Sequence, residues 1–348
     1  MPRNARTNAL GLSRNDYTGG KSTLCPGCGH DSISNQIIRI AWELGLEQHN
    51  VIKMSGIGCS SKTPAYFLGR AHAFNAIHGR MPSVVTGATT VNNELVAMGV
   101  SGDGDTGSIG LGQYKHLLRR NVPMVYIIEN NGVYGLTKGQ FSATADEGQF
   151  LKYYGDNDLP PIDLALEAIV SNCTFVARSF SGDPGQVQAL LKASIAHKGT
   201  AVLDIVSPCV TFNNAPDSTK SYPYGREHEI PLHDIDLLAP DFVEEREEIL
   251  IGEYDAGQVI EVPMHDGTIV RLKKTDRDYD PRQRVQAIQL LEEARMDNLL
   301  LTGLLYYEEP RMTLAESENL SDRPLTQLPN DMLRPPREAL DTLMQSMM

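Results

Sequence analysis

Residues 122–132, "VPMVYIIENNG", decide the fold. From Val122 to Ile128 this run is apolar without alternation, the pattern of a strand covered on both faces. It ends at Glu129 and the turn signal Asn130-Asn131-Gly132. Just upstream, "ELVAMGVSGDGD" (94–105) reads as a second buried strand closing on a glycine turn, followed by a helix through "SIGLGQYKHLLRR". "VIKMSG" (51–56) is a short strand running into a glycine-rich loop. Before it, Asp31 is placed to cap a helix whose apolar face carries Ile33, Ile37, Ile40, Ala41 and Leu44, with Gly45 as its stop. Downstream, "PIDLALEAIVSN", "TFVARSF", "PGQVQALLKASIAHK" and "TAVLDIVSP" continue the alternation. Doubly buried strands separated by helices predict a doubly wound parallel α/β sheet. Ligands of such sheets bind beyond the carboxyl ends of the strands, here the loops after 54, 101 and 129.

Beyond Cys209 the pattern changes. Residues 242–257 are dense in carboxylates, "QVIEVPMHDGTIVRLKK" predicts a β-hairpin turning at Asp266-Gly267, and "RQRVQAIQLLEEARMDNLLLTGLLYYEE" reads as a helical stretch. From Arg311 the chain is proline-punctuated with little periodicity, an arm expected to wrap a neighbour or stay mobile. The expected division is therefore a cofactor domain over 1–225 and a subunit-contact extension over 226–348.

The two strand ends around Gly102 and Asn131 carry chemistry. Glycines flanking Asp103 let the backbone approach a diphosphate. Asp103 offers Mg²⁺ a hard carboxylate oxygen, and Asn131, 28 residues further on, can add an amide oxygen. The helix that follows can add its N-terminal dipole.

Of five cysteines, Cys25, Cys28, Cys59 and Cys209 lie in loops beside small or turn residues: "CPGCG", "GIGCSS", "VSPCV". Cys59 and Cys209 follow strands, so their loops emerge on one sheet edge and can converge. Cys173, between a helix and a strand, reads as a small core residue. The C-x-x-C precedes the first strand and helix, which argues against a thioredoxin-like pair. A tetrathiolate zinc site and a [4Fe–4S] cluster both remain open on the cysteines alone.

Composition bounds the alternatives. Hydrophobic content of 41% and charged content of 22% are those of a soluble globular chain. The N-terminal stretch is basic without an apolar core, so no secretory signal is expected, and a cytoplasmic, reducing setting follows. No apolar run is long enough for a membrane span. A net charge of −13 argues against nucleic acid or an anionic membrane as partner.

Gly-Asp-Gly followed at this distance by Asn-Asn resembles the thiamine diphosphate signature. Together, "CPGCGH", "GIGCSS", "AIHGRMPSVVTG", "GDGD" and "NNGVYGLTKGQ" resemble the β subunit of 2-oxoacid:ferredoxin oxidoreductases, collinearly over roughly residues 20 to 225. The "GCSSK" loop and the acidic extension look most similar to the 2-oxoglutarate (2-oxoglutarate synthase) subclass. The resemblance implies a sheet of the thiamine diphosphate-binding type. It implies one [4Fe–4S] cluster on Cys25, Cys28, Cys59 and Cys209, and Mg²⁺ on Asp103, Asn131 and the carbonyl of Val133. Gly58, Cys59, Ser60, His78, Gly102, Asp103, Gly104, Asp105, Asn131, Val133, Gly135, Leu136 and Thr137 are the expected cofactor contacts. His78 and Leu136 are expected beside the reacting atoms, and Lys62 is placed to meet a distal substrate carboxylate. His30 is read as capping the cluster loop.

The implied activity is CoA-dependent oxidative decarboxylation of 2-oxoglutarate to succinyl-CoA and CO₂, reversible, with electrons passing through the cluster to ferredoxin. The implied partners are ferredoxin and an α subunit supplying the activating Glu, in an (αβ)₂ assembly; alone, the chain is expected to be inactive. The competing readings are another 2-oxoacid such as pyruvate, a non-redox thiamine enzyme with a structural zinc site, and a zinc-stabilised scaffold.

Overall fold

The computed structural model describes residues 7–238, 259–263, 269–274, 279–309 and 311–347. Its centre is an eight-stranded sheet, ordered Glu229–Pro231, Leu300–Tyr307, Phe175–Phe180, Thr200–Val206, Met124–Asn130, Val96–Gly102, Val51–Ser55 and His72–Asn75. Every neighbouring pair is parallel except Leu300–Tyr307 against Phe175–Phe180. Met124–Asn130 is buried along its whole length, its apolar run to Ile128 closing on the buried polar pair Glu129-Asn130.

Helices cover both faces. Gly29–Glu43 and Pro184–Ala196 pack on one, their Ile33, Ile37, Ile40, Leu190 and Leu191 joining Val100, Ile127 and Leu203 from the sheet. Met81–Val91, Leu111–Arg119, Leu164–Val170 and Arg284–Met296 pack on the other, with Met81, Tyr114, Tyr126 and Ile169 among its buried side chains. The sheet is doubly wound, as expected. The first helix begins three residues earlier than the sequence indicates: Cys28 is its N-cap, while Asp31 sits in the first turn and accepts from Ser22 Oγ at 2.6 Å. Cys173 is fully buried, its thiol facing the carbonyls of Phe175 and Thr200.

Residues 300–307, expected to continue a helix, form a strand that joins the main sheet. The helix stops at Met296, and Asn298 takes a left-handed conformation (φ 54°) that turns the chain. "LLTGLLYY" is apolar on every face, a pattern that does not distinguish buried strand from buried helix. Residues on both sides of 225/226 thus contribute strands to one sheet.

The hairpin forms: Val259–Pro263 pairs antiparallel with Ile269–Lys274, which pairs on its other edge with His233–Leu238. Its turn at Asp266-Gly267 and the acidic stretch 242–257 lie outside the described residues. The terminal arm carries a helix, Arg337–Ser346, exposed throughout, with Leu340, Leu343 and Met344 more than half exposed. Among the described residues no helix is long and apolar enough to cross a membrane.

Candidate functional site

Four parallel strands, 51–55, 96–102, 124–130 and 200–206, end side by side and deliver Cys59, Asp103, Asn131 and Cys209 to one edge. A cleft of about 530 Å³, counting space open to solvent, lies there. Gly58, Cys59, Ser60, His78, Gly102, Asp103, Gly104, Asp105, Asn131, Val133, Gly135, Leu136 and Thr137 all line it.

Asp103 is 2% exposed. Its Oδ2 accepts from Thr144 Oγ1 at 2.6 Å and from Ser142 Oγ, and Oδ1 from the Asn131 backbone N–H at 3.3 Å. Burial pushes its carboxyl up, and these hydrogen bonds oppose the shift. Among the described residues Asp103 makes no ion pair, and its polar partners are neutral donors. A buried carboxylate held by neutral donors only is a site that a divalent cation would complete. Asn131 turns its amide so that Oδ1 accepts from the Val133 N–H at 3.1 Å while Nδ2 faces His30 Nε2 at 3.4 Å. The Val133 carbonyl accepts from Gly135 N–H at 3.1 Å and keeps a second lone pair. The donor set fits Mg²⁺.

Asp105 is spent on its own surroundings. Its Oδ1 accepts from His78 Nδ1 and the Gly79 N–H (2.7 Å), and Oδ2 from Ser101 Oγ (2.6 Å). It therefore pins the 78–79 loop to the Gly-Asp-Gly turn. His78, donating from Nδ1, keeps Nε2 for other partners and stands edge-on to Tyr134 with ring centroids 6.1 Å apart. After Gly104 the chain makes one wide helical turn, Asp105–Ile109, before the regular helix Leu111–Arg119.

The cysteine loops are laced together around the N-terminus of the first helix. Gly29 N–H donates to the Pro208 carbonyl at 3.3 Å, and a Cβ on Gly29 would lie 2.6 Å from Ser207 Oγ, so only glycine permits this approach. Thr211 Oγ1 faces Cys25 Sγ at 3.5 Å. Burial pushes the Cys28 thiol up to about 12, and the charges of Glu129, Cys209 and Cys59 add to the shift. Burial likewise raises Cys59 and Cys209, each also feeling Cys25. The four thiols are thus electrostatic neighbours. Among the described residues, however, no three His, Cys, Asp or Glu side chains close tightly enough to hold a single metal ion. Four cysteine loops gathered at one edge offer thiolates, the ligand type that structural zinc and iron–sulfur clusters share. A Cβ on Gly135 would stand 3.5 Å from Cys209 Sγ and 3.6 Å from Cys59 Sγ, which locates the space between these two thiols.

His30 does more than cap a loop. Buried at 1% exposure, it contacts Ser207 Oγ through Nδ1 at 2.6 Å and Asn131 Nδ2 through Nε2, so it spans the thiol cradle and the metal loop. Burial drops its pKa to about 4 and keeps it neutral. Asn213 makes a second tie, donating Nδ2 to the Asn131 carbonyl at 2.8 Å. Glu129, fully buried and pushed far up by burial, accepts from Thr63 Oγ1 at 2.8 Å. Lys62 is not a lining residue of the cleft; it sits half-buried in the turn after Cys59, where its charge acts on that thiol. Ser142 and Thr144 carry no motif, and nothing in the sequence singles them out.

Residues 56–205 match the family model described as the thiamine pyrophosphate enzyme C-terminal TPP binding domain. This cleft is therefore that of a thiamine diphosphate-binding domain. The chain is 32% identical to the 2-oxoglutarate synthase subunit KorB of Methanocaldococcus jannaschii, over 66% of this chain and 86% of that one. It is 41% identical to the 2-oxoglutarate oxidoreductase subunit KorB of Mycobacterium tuberculosis, over 55% of this chain and 51% of the relative. Among solved structures, a 2-oxoglutarate:ferredoxin oxidoreductase from Magnetococcus marinus, with 2-oxoglutarate, coenzyme A and succinyl-CoA bound, superposes with a TM-score of 0.70. It is 29% identical, with 88% of this chain and 89% of that chain covered. The chain belongs to the β-subunit family of the 2-oxoacid:ferredoxin oxidoreductases. Several curated relatives are matched over only 51–65% of their own length.

Proposed function

We propose that this chain is the β subunit of a cytoplasmic, CoA-dependent 2-oxoglutarate:ferredoxin oxidoreductase. The reaction converts 2-oxoglutarate and CoA to succinyl-CoA and CO₂ and delivers electrons to ferredoxin, reversibly. The observation that carries this reading is the direct join, through His30, of a buried metal–diphosphate loop to a four-thiol cradle. A thiamine enzyme without a redox step has no use for that adjacency.

Asp103, Asn131 and the Val133 carbonyl would hold Mg²⁺, and the Gly102–Gly104 turn would let the backbone approach the diphosphate. Bound there, thiamine diphosphate supplies the electron sink for decarboxylating a 2-oxoacid, and a [4Fe–4S] cluster on Cys25, Cys28, Cys59 and Cys209 supplies a one-electron outlet. The remaining work falls to side chains of this subunit. Leu136 gives the cleft an apolar wall. His78, oriented by Asp105, presents Nε2 where a proton must be held or moved. Lys62, in the turn after Cys59 and outside the cleft lining, is the cation assigned to the distal carboxylate that distinguishes 2-oxoglutarate from monocarboxylic 2-oxoacids, a role that requires its side chain to swing toward the cleft. An α subunit brings the Glu that activates the cofactor, in an (αβ)₂ assembly, and CoA enters as cosubstrate.

The test is anaerobic ferredoxin reduction by the co-expressed complex, comparing 2-oxoglutarate with pyruvate in the presence and absence of CoA. A CoA-dependent signal with kcat/KM favouring 2-oxoglutarate supports the proposal. Preference for pyruvate would overturn the substrate assignment, and no reduction with any 2-oxoacid would overturn the whole reading.

A further inference from the structure

Behind Asp103 lies a chain of buried polar contacts that the cofactor reading does not use. Thr144 Oγ1 sits 2.6 Å from Asp103 Oδ2 and 2.8 Å from Asn130 Oδ1. Asn130 Nδ2 donates to Asp204 Oδ1 at 2.9 Å. Asp204 Oδ2 accepts from Arg178 Nε at 3.0 Å, and Arg178 donates on to Asp163 Oδ1 at 2.5 Å. Thr144, Asn130 and Asp204 are all at least nine-tenths buried. They border a second cavity of about 740 Å³, solvent-open space included, on the far side of the strand ends. Of its charged walls, Arg178 pairs with Asp163 and Asp204, Lys220 pairs with Asp146, and Arg295 pairs with Glu292 outside the lining. It reads as the back of the metal site rather than as a ligand pocket.

The hydroxyl has one proton and two acceptors in reach. It can donate to Asp103 or to Asn130, not to both. Which way Asn130 presents its amide is not free either. A carboxylate accepts only, so Asp204 holds Nδ2 toward itself and leaves the carbonyl oxygen facing Thr144. Arg178, held by two carboxylates, keeps Asp204 in place.

We infer that Thr144 is a positioning residue for the metal-binding carboxylate. Its proton, together with that of Ser142, engages Asp103 Oδ2, and this leaves Oδ1, with only the 3.3 Å contact from the Asn131 N–H, as the oxygen free for a cation. Asn130 Oδ1, fixed by the Asp163–Arg178–Asp204 triad, is the hydroxyl's alternative acceptor and keeps Thr144 seated between the two. This rests on the assignment of Asp103 to the metal–diphosphate site.

Titration calorimetry tests it, on the complex stripped of metal and cofactor, with Mg²⁺ and thiamine diphosphate as titrants. Removing a group that orients a metal ligand characteristically costs roughly 10- to 100-fold in metal affinity. Thr144→Val should show a loss of that size, and Thr144→Ser should recover to within about threefold of wild type. Asp204→Asn should weaken binding in the wild-type background but add little to Thr144→Val, since both act through one hydroxyl. Binding by Thr144→Val within about twofold of wild type would overturn the inference alone. So would equal weakness of the Val and Ser variants, which would make the effect one of packing. Failure of the wild-type complex to bind thiamine diphosphate would overturn the site assignment and the inference with it.

Discussion

Gly135→Ala separates the thiol cradle as a cluster site from the cradle as an incidental gathering of cysteines. The new methyl would lie 3.5 Å from Cys209 Sγ, 3.6 Å from Cys59 Sγ and 3.8 Å from Phe212 Cδ2. These are ordinary van der Waals separations, so the metal-free chain loses nothing by the substitution. Replacing glycine by alanine also trims the freedom of the unfolded chain, worth about 0.4–1 kcal/mol in favour of the fold. The metal-free variant should therefore melt at or slightly above wild type. An iron–sulfur core bonded to both sulfurs must occupy the space between them, and there the methyl is in the way. Loading should collapse, from about four irons per chain to fewer than about one. The assay is iron and sulfide analysis after anaerobic reconstitution, alongside calorimetric melting of the metal-free protein. Full iron loading by Gly135→Ala would refute the placement of a cluster between Cys59 and Cys209. A large drop in melting temperature without metal would refute the claim that the cradle is open there.

Cys209→Ser should abolish iron binding while Cys173→Ser, at a fully buried core position, leaves iron content unchanged; an effect of Cys173→Ser on iron would show that the ligand set is wrong. Lys62→Ala should raise KM for 2-oxoglutarate at least tenfold more than for a monocarboxylic 2-oxoacid (tenfold being about 1.4 kcal/mol), and equal effects on both would remove Lys62 from substrate selection. Lys53 is buried on the strand Val51–Ser55 and gives its three donors to the carbonyls of Pro64, Phe67 and Leu68 at 2.7, 2.7 and 2.9 Å. Burial pulls its ammonium down from 10.5 to about 8. Between those two values the unfolded chain holds a proton the folded chain has released, so stability attributable to Lys53 rises with pH across that window. Relative to Lys53→Met, wild type should gain thermal stability between pH 8 and 10, by less than about 3 kcal/mol, and a pH-independent difference would contradict it.

The sheet was legible because Met124–Asn130 and its neighbours are apolar on both faces and punctuated by glycine, signals that survive without tertiary context. The strand Leu300–Tyr307 was not, because "LLTGLLYY" satisfies a buried helix equally well and only its pairing with Phe175–Phe180 decides. Asp103 and Asn131 stand at strand ends in a recognisable spacing, so local pattern places them. Thr144, Ser142 and His30 reach the same site from 41, 39 and 101 residues away along the chain, counted from Asp103 for the first two and from Asn131 for His30. No local pattern records such a contact. Asp105 shows the converse: it belongs to the motif by position, yet its carboxylate is committed to His78, Gly79 and Ser101, and its contribution is to hold the loops in register.

The central claim is that a redox cluster and a thiamine site share this edge of the sheet, and metal analysis of the complex purified without oxygen tests it most directly. About four irons and matching sulfide per chain are expected, with a broad visible absorbance that bleaches when 2-oxoglutarate and CoA are added together. One zinc per chain and a colourless protein would contradict the account and leave a structural metal beside a thiamine fold.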